Sequence, residues 1–150
     1  AQREIKTNHE AESTIGEKPT LIIENYLGGK YYFTTDEIKL EKSKVFLIEG
    51  KHSRNALLPS EGDIKDGLLK MILYTNLKDV YINEKKYQPI PALKLTSTKL
   101  RDRISSADSS DKIKNFISEN DFSNNQKELI ENLLDEAIEN KFLVIIEKAN

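Results

Sequence analysis

Cysteine is absent from this 150-residue chain, and histidine occurs only twice, at His9 and His52. These absences exclude thiol catalysis, disulfide frameworks and Cys/His zinc sites, and they fit an intracellular protein. No apolar run approaches the ~18 residues of a membrane span, and no signal-peptide pattern is present. The chain is therefore expected to be soluble and cytoplasmic. It also lacks a tandem repeat, a nucleophile elbow and a phosphate-binding loop. Gly28-Gly29 has no Lys-Ser/Thr behind it and is read as a helix stop. Excess positive charge is missing too: 23 Lys and Arg stand against 25 Asp and Glu, a formal net charge of -2. That balance argues against a protein that coats nucleic acid through charge alone.

The length suits one domain, burying roughly 68 to 70% of the surface its unfolded chain exposes. Residues 1 to 13 are polar and aperiodic and are expected to be mobile, which leaves 14 to 150 as the domain. The first residue is Ala1 rather than Met. This is read as a processed end or a cut through a longer protein, whose recognition domain would then lie outside this chain.

Residues 30 to 40 (KYYFTTDEIKL) and 45 to 53 (VFLIEGKHS) are rich in β-branched and aromatic residues and flank a short polar link. They predict a β-hairpin. If Leu40 pairs with Val45, each residue i faces 85 − i, and Asp36 faces Glu49. Alternation then puts Asp36, Ile38 and Leu40 on one face with Val45, Leu47, Glu49 and Lys51. Two carboxylates opposed at roughly 5 Å repel by on the order of 3 kcal/mol at an effective dielectric of about 20. Lys51 supplies one positive charge, and a formal excess of one negative charge remains. A hard divalent cation such as Mg²⁺, which takes carboxylate and phosphate oxygens and keeps several waters, would settle it. The competing reading is a solvated ion cluster at a sheet edge, since acid-x-Lys triplets are common in a chain that is 32% charged.

Thr35-Asp36, a turn, then Val-Phe-Leu-Ile-Glu-Gly-Lys, with a helix starting near Pro59-Ser60, resembles the PD-(D/E)XK nuclease family, most closely its type II restriction endonuclease branch. The resemblance spans roughly residues 15 to 100. It implies an α/β fold with a restriction-endonuclease-like mixed central sheet flanked by helices. It further implies Asp36 and Glu49 as Mg²⁺ ligands, the Gly50 carbonyl as a third, and Lys51 as the catalytic residue that positions the attacking water. Thr35 stands where the family often has Pro, and Gly50 where it usually has an apolar residue. Several branches place an acid on the first helix, for which Glu17 or Glu24 is the candidate here. The activity implied is hydrolysis of double-stranded DNA. The alternative is a module that keeps the fold and binds DNA or partners without chemistry. An unrelated α/β protein with an accidental triplet is a third reading.

The remaining segments fit that order. Pro19, Leu21, Ile22, Ile23, Tyr26 and Leu27 predict a first helix. Ser60 caps a second, with Asp63 at N3 and Ile64, Leu68, Met71, Ile72 and Leu77 at helical spacing. On it Lys70 and Tyr74 faintly echo a Gln-x-x-x-Tyr element of exonuclease-like branches. A surface lysine and a half-buried tyrosine are the plainer reading. Strands are predicted at 79 to 83 and 90 to 97, a polar link at 105 to 110, helices at 111 to 118 and 125 to 140, and a buried strand at 142 to 146. Leu129, Ile130, Leu133, Leu134, Ala137 and Ile138 form a stripe read as core, with a homodimer contact as the alternative. Lys94, Lys99, Arg101 and Arg103, offset only by Asp102, mark a basic stretch for DNA phosphates, to which His52 and Arg54 would add.

Overall fold

The polar link after Leu40 becomes a two-residue turn, Lys42-Ser43, with Lys42 in the left-handed region at φ 55°. It joins β3 (Glu37–Glu41) to the long strand β4 (Lys44–Ser53) in antiparallel register, Leu40 opposite Val45 and Ile38 opposite Leu47. The predicted rule of 85 − i therefore holds throughout the pair. The computed structural model describes residues 20–24, 30–77, 80–82 and 84–150, with side chains from Thr35 onward.

Ahead of the hairpin, β1 (Thr20–Glu24) pairs antiparallel with β2 (Lys30–Thr34). The predicted first helix is thus overturned where it is described: Thr20, Ile22 and Ile23 are β-branched and favour a strand, and the apolar run was too short to establish a helical period. Glu17, Pro19 and the expected mobile segment 1 to 13 lie outside the described residues. The stretch 30 to 40, predicted as one strand, is broken at Thr35-Asp36 into β2 and β3.

The chain then continues as α1 (Glu61–Thr75), β5 (Val80–Ile82), β6 (Lys85–Ser97), β7 (Arg103–Ser105), α2 (Ser110–Glu119), α3 (Asn124–Asn140) and β8 (Leu143–Lys148). The main sheet has the order β3-β4-β6-β8-β7, with β5 paired to the start of β6. β4, β6 and β8 are mutually parallel, while β3, β5 and β7 run antiparallel to their neighbours. This is a mixed α/β fold. β6 is longer than predicted and includes Pro89 and Pro91, which fall between its pairing with β5, ending at Tyr87, and with β8, starting at Ala92. A residue without an N–H is tolerated where one edge is unpaired.

Each helix starts on a serine whose side chain accepts an amide: Ser60 from Asp63, Ser109 from Lys112 and Ser123 from Gln126. Alternate strand residues Ile38, Leu40, Val45, Leu47, Leu93, Leu95, Val144 and Ile146 join Ile64, Met71 and Tyr74 of α1, Phe116 of α2 and Ile130, Leu133, Leu134 and Ala137 of α3 in one core. The α3 stripe is therefore core packing, except Ile138, which is 67% exposed; Ile72, predicted to be inward, is 59% exposed. The other strand residues, among them Phe46, Ala92, Lys94, Leu143, Ile145 and Glu147, line a hollow of about 500 Å³ on the opposite side of the sheet. No helix among the described residues is long and apolar enough to cross a membrane.

Candidate active site

Thr35 and Asp36 form the bend that leads into β3, and the bend is fastened to β4. The Thr35 hydroxyl, 1% exposed, donates to the Ile48 carbonyl at 2.9 Å. The Gly50 amide donates to Asp36 Oδ2 at 3.1 Å. Continuing the hairpin register by one position sets Asp36 across from Glu49, near enough for Asp36 to act on the Glu49 carboxyl. Sequence spacing placed them together correctly. Gly50 contributes an amide to Asp36 here, a contact that the family resemblance did not foresee.

Glu49 is 6% exposed, on the core-facing side of β4 toward its carboxyl end. Burial raises its pKa above the ordinary 4.5, and the hydrogen bond and charge of Asp36 add to the rise. Opposing these are two ammonium groups, Lys70 first and Lys51 second. Burial and a neighbouring carboxyl both favour the neutral form of Glu49 over its carboxylate. Lys51 lies two residues on along β4, half-buried and on the same face.

Lys70 and Tyr74 come from α1, which packs across β4 and β6. Tyr74 is 1% exposed rather than half-buried. Its hydroxyl is pushed up to about 12, chiefly by burial, with the charges of Glu49 and Asp36 adding and a hydrogen bond with Thr35 opposing. The phenol thus stays protonated and ties α1 to the bend that carries Asp36. Lys70, set aside in sequence as a surface lysine, is half-buried and acts on Glu49. The signal that was available is the four-residue spacing of a lysine and a tyrosine on a helix that covers the strand.

Counted with all four groups ionised, Asp36, Glu49, Lys51 and Lys70 sum to no formal charge. The excess negative charge that called for a divalent ion is thereby removed. The donor set still suits one: hard carboxylate oxygens, with no His or Cys, match an ion that completes its shell from water and phosphate. Among the described residues no group of three or more His, Cys, Asp or Glu forms a fuller cage.

Of the other candidates, His52 and Lys94 share a hollow of about 300 Å³ with Asp36, Gly50 and Lys51, whereas Arg54, Lys99, Arg101 and Arg103 lie outside it. His52 is on the opposite face of β4, its Nδ1 2.9 Å from Thr96 Oγ1. Arg54 is exposed just past the strand, its carbonyl accepting from Thr98 at 2.8 Å. Lys94 pairs with Glu147 at 3.3 Å and Glu37 at 3.8 Å, and Arg103 pairs with Glu147 at 3.0 Å, so both are turned to acids on the far face. Lys99 and Arg101 are exposed on the β6–β7 connection, where Asn120 clamps the Arg101 backbone. The basic stretch is thus split between a sheet face and a loop, because strand alternation and the connection scatter residues that are adjacent in sequence. Comparisons of the chain with protein-family models, curated proteins and solved structures returned no match.

Proposed function

We propose that this chain is the catalytic module of a Mg²⁺-dependent DNA endonuclease of the PD-(D/E)XK kind, resembling type II restriction enzymes and acting in the cytoplasm. The observation that carries this reading is the buried Glu49 set across from Asp36 on adjacent strands, with Lys51 and Lys70 acting on it. Its position toward the carboxyl end of β4, parallel to β6, also suits a site, because α/β sheets bind ligands at that end.

In this reading Asp36 and Glu49 hold the ion, whose chemistry when bound is to polarise the scissile phosphate and lower the pKa of water. Gly50 fixes one oxygen of Asp36 through its amide, which leaves the other to turn toward the ion. Lys51 orients the water by hydrogen bonding and offsets negative charge that grows on the phosphate. Thr35 and Tyr74 keep the Asp36 bend seated on β4, so the acids need no rearrangement when substrate arrives.

Asp36→Ala and Lys51→Ala are each expected to lower Mg²⁺-dependent plasmid cleavage by at least about 10²-fold, with the fold retained by circular dichroism. Wild-type rates in either purified variant would remove the assigned roles. A second reading, a nuclease-fold binding module without chemistry, is favoured by the charge balance that the four side chains reach without any ion. Plasmid incubation with and without Mg²⁺, together with thermal shift in Mg²⁺ or Mn²⁺, separates the two. Cleavage with a metal-induced rise in Tm supports the enzyme; DNA binding indifferent to metal supports the module.

A further inference from the structure

The β4–α1–β6 crossover returns the chain along β4 before β6 begins. Glu49 lies four residues before Ser53, about 13 Å along the strand, and Lys70 lies nine residues after Glu61, about 14 Å along the helix. The two are therefore abreast. A second contact fixes the crossing: Gly67 is pressed against Leu93, and Leu93 is the residue paired with Glu49 on β6. One helical turn past Gly67 is Lys70, and one further turn is Tyr74, which holds the Asp36 bend. The missing side chain at Gly67 is what lets α1 sit low enough to bring Lys70 to the acids.

We propose that Lys70 is the resident counter-ion of the Asp36–Glu49 pair, and that a divalent cation taking those carboxylates displaces its ammonium toward a phosphate of the bound DNA. This inference rests on the nuclease reading for its second half only. An ammonium and a metal ion cannot share the same oxygens without repelling each other. A doubly charged ion placed on these carboxylates therefore repels the Lys70 ammonium, and its four-carbon stem lets it swing. Lys51 sits on β4 itself, two residues past Glu49 on the same face. Of the two ammonium groups, Lys70 also acts more strongly on Glu49. When the ion is absent Lys70 keeps the acids paired; when it is present Lys70 becomes the mobile cation that meets the substrate.

The test is Mn²⁺ titration by calorimetry on the whole chain without DNA, comparing wild type, Lys70→Met, Lys70→Arg and Lys51→Met, each checked for folding by its melting transition. Loss of the rival charge is expected to tighten Mn²⁺ binding by about tenfold in Lys70→Met, with Lys70→Arg near wild type and Lys51→Met gaining less. In single-turnover cleavage Lys70→Met is expected to fall by about 10²-fold at saturating metal, partly restored in Lys70→Arg. Mn²⁺ affinity unchanged or weakened in a folded Lys70→Met would overturn the proposal while leaving the nuclease reading intact. Tighter Mn²⁺ binding in a protein that cuts no DNA would uphold the counter-ion role and remove the nuclease reading instead. Failure of every variant to bind Mn²⁺ overturns both.

Discussion

Glu49 is buried beside a second acid, and that sets a stability trade-off. A carboxyl whose pKa is raised on folding favours the protonated native state. Its contribution is complete below the ordinary value of 4.5 and is lost as pH rises through the raised value. Glu49→Gln keeps the shape and a hydrogen-bond donor toward Asp36 without the charge. The variant is expected to match wild type in acid and to exceed it in Tm as pH rises toward neutrality. Thermal melts across that pH range, paired with a cleavage assay in which the variant is inactive, check it; a constant gap at all pH values would assign the effect to packing instead. At this scale the sequence was legible for Asp36, Glu49 and Lys51, because alternation and turn length determine which strand residues meet. It named Lys70 and Thr35 without giving their roles: Lys70 meets Glu49 only through the angle at which a helix crosses a sheet, and Thr35 works through one hydroxyl bonded to a backbone carbonyl 13 residues away.

Among the elements, α1 determines whether the site is complete. A β-carbon on Gly67 would run into Cδ1 of Leu93, itself fully buried. Gly67→Val is expected to cost about 1 to 3 kcal/mol through overpacking, and by lifting the helix to reduce cleavage more than it reduces DNA affinity. Chemical denaturation and a binding titration measure the two effects; a variant that melts earlier but cuts at the wild-type rate would show that the depth of the crossing is immaterial. The cap of α1 was read from Ser60, since a serine ahead of an amphipathic run solves the problem of unpaired amides, and Ser109 and Ser123 do the same for α2 and α3. The first predicted helix failed because Pro19 and Gly28-Gly29 punctuate a hairpin as readily as a helix. Ile72 and Ile138 failed because a stripe counted by spacing alone is wider than the face a sheet covers.

For the whole molecule, charge is arranged locally. Lys94 and Arg103 converge on Glu147, and Lys94 also reaches Glu37, which links the outer strands across the face opposite α1. Lys94→Ala and Arg103→Ala are accordingly expected to change DNA affinity by less than about twofold and to leave the salt dependence unchanged, whereas a residue neutralising a phosphate would lower the slope of log K against log salt by about 1. Fluorescence anisotropy at several salt concentrations decides, and a lowered slope in either variant would return these residues to the DNA surface. The α/β class and the order of elements from β3 onward were legible apart from β7, which is three residues long; the division of the basic stretch was not, because it depends on which face each strand residue takes. One consequence concerns the order of assembly. The two acids are separated by a single tight turn, while Lys70 joins them only after the crossover has docked. A refolding chain therefore zips up a hairpin whose carboxylates meet without their ammonium. Mg²⁺ added to the refolding buffer is expected to speed the main phase relative to EDTA in stopped-flow measurements, and equal rates would mean that the acids come together only after the rate-limiting barrier is crossed.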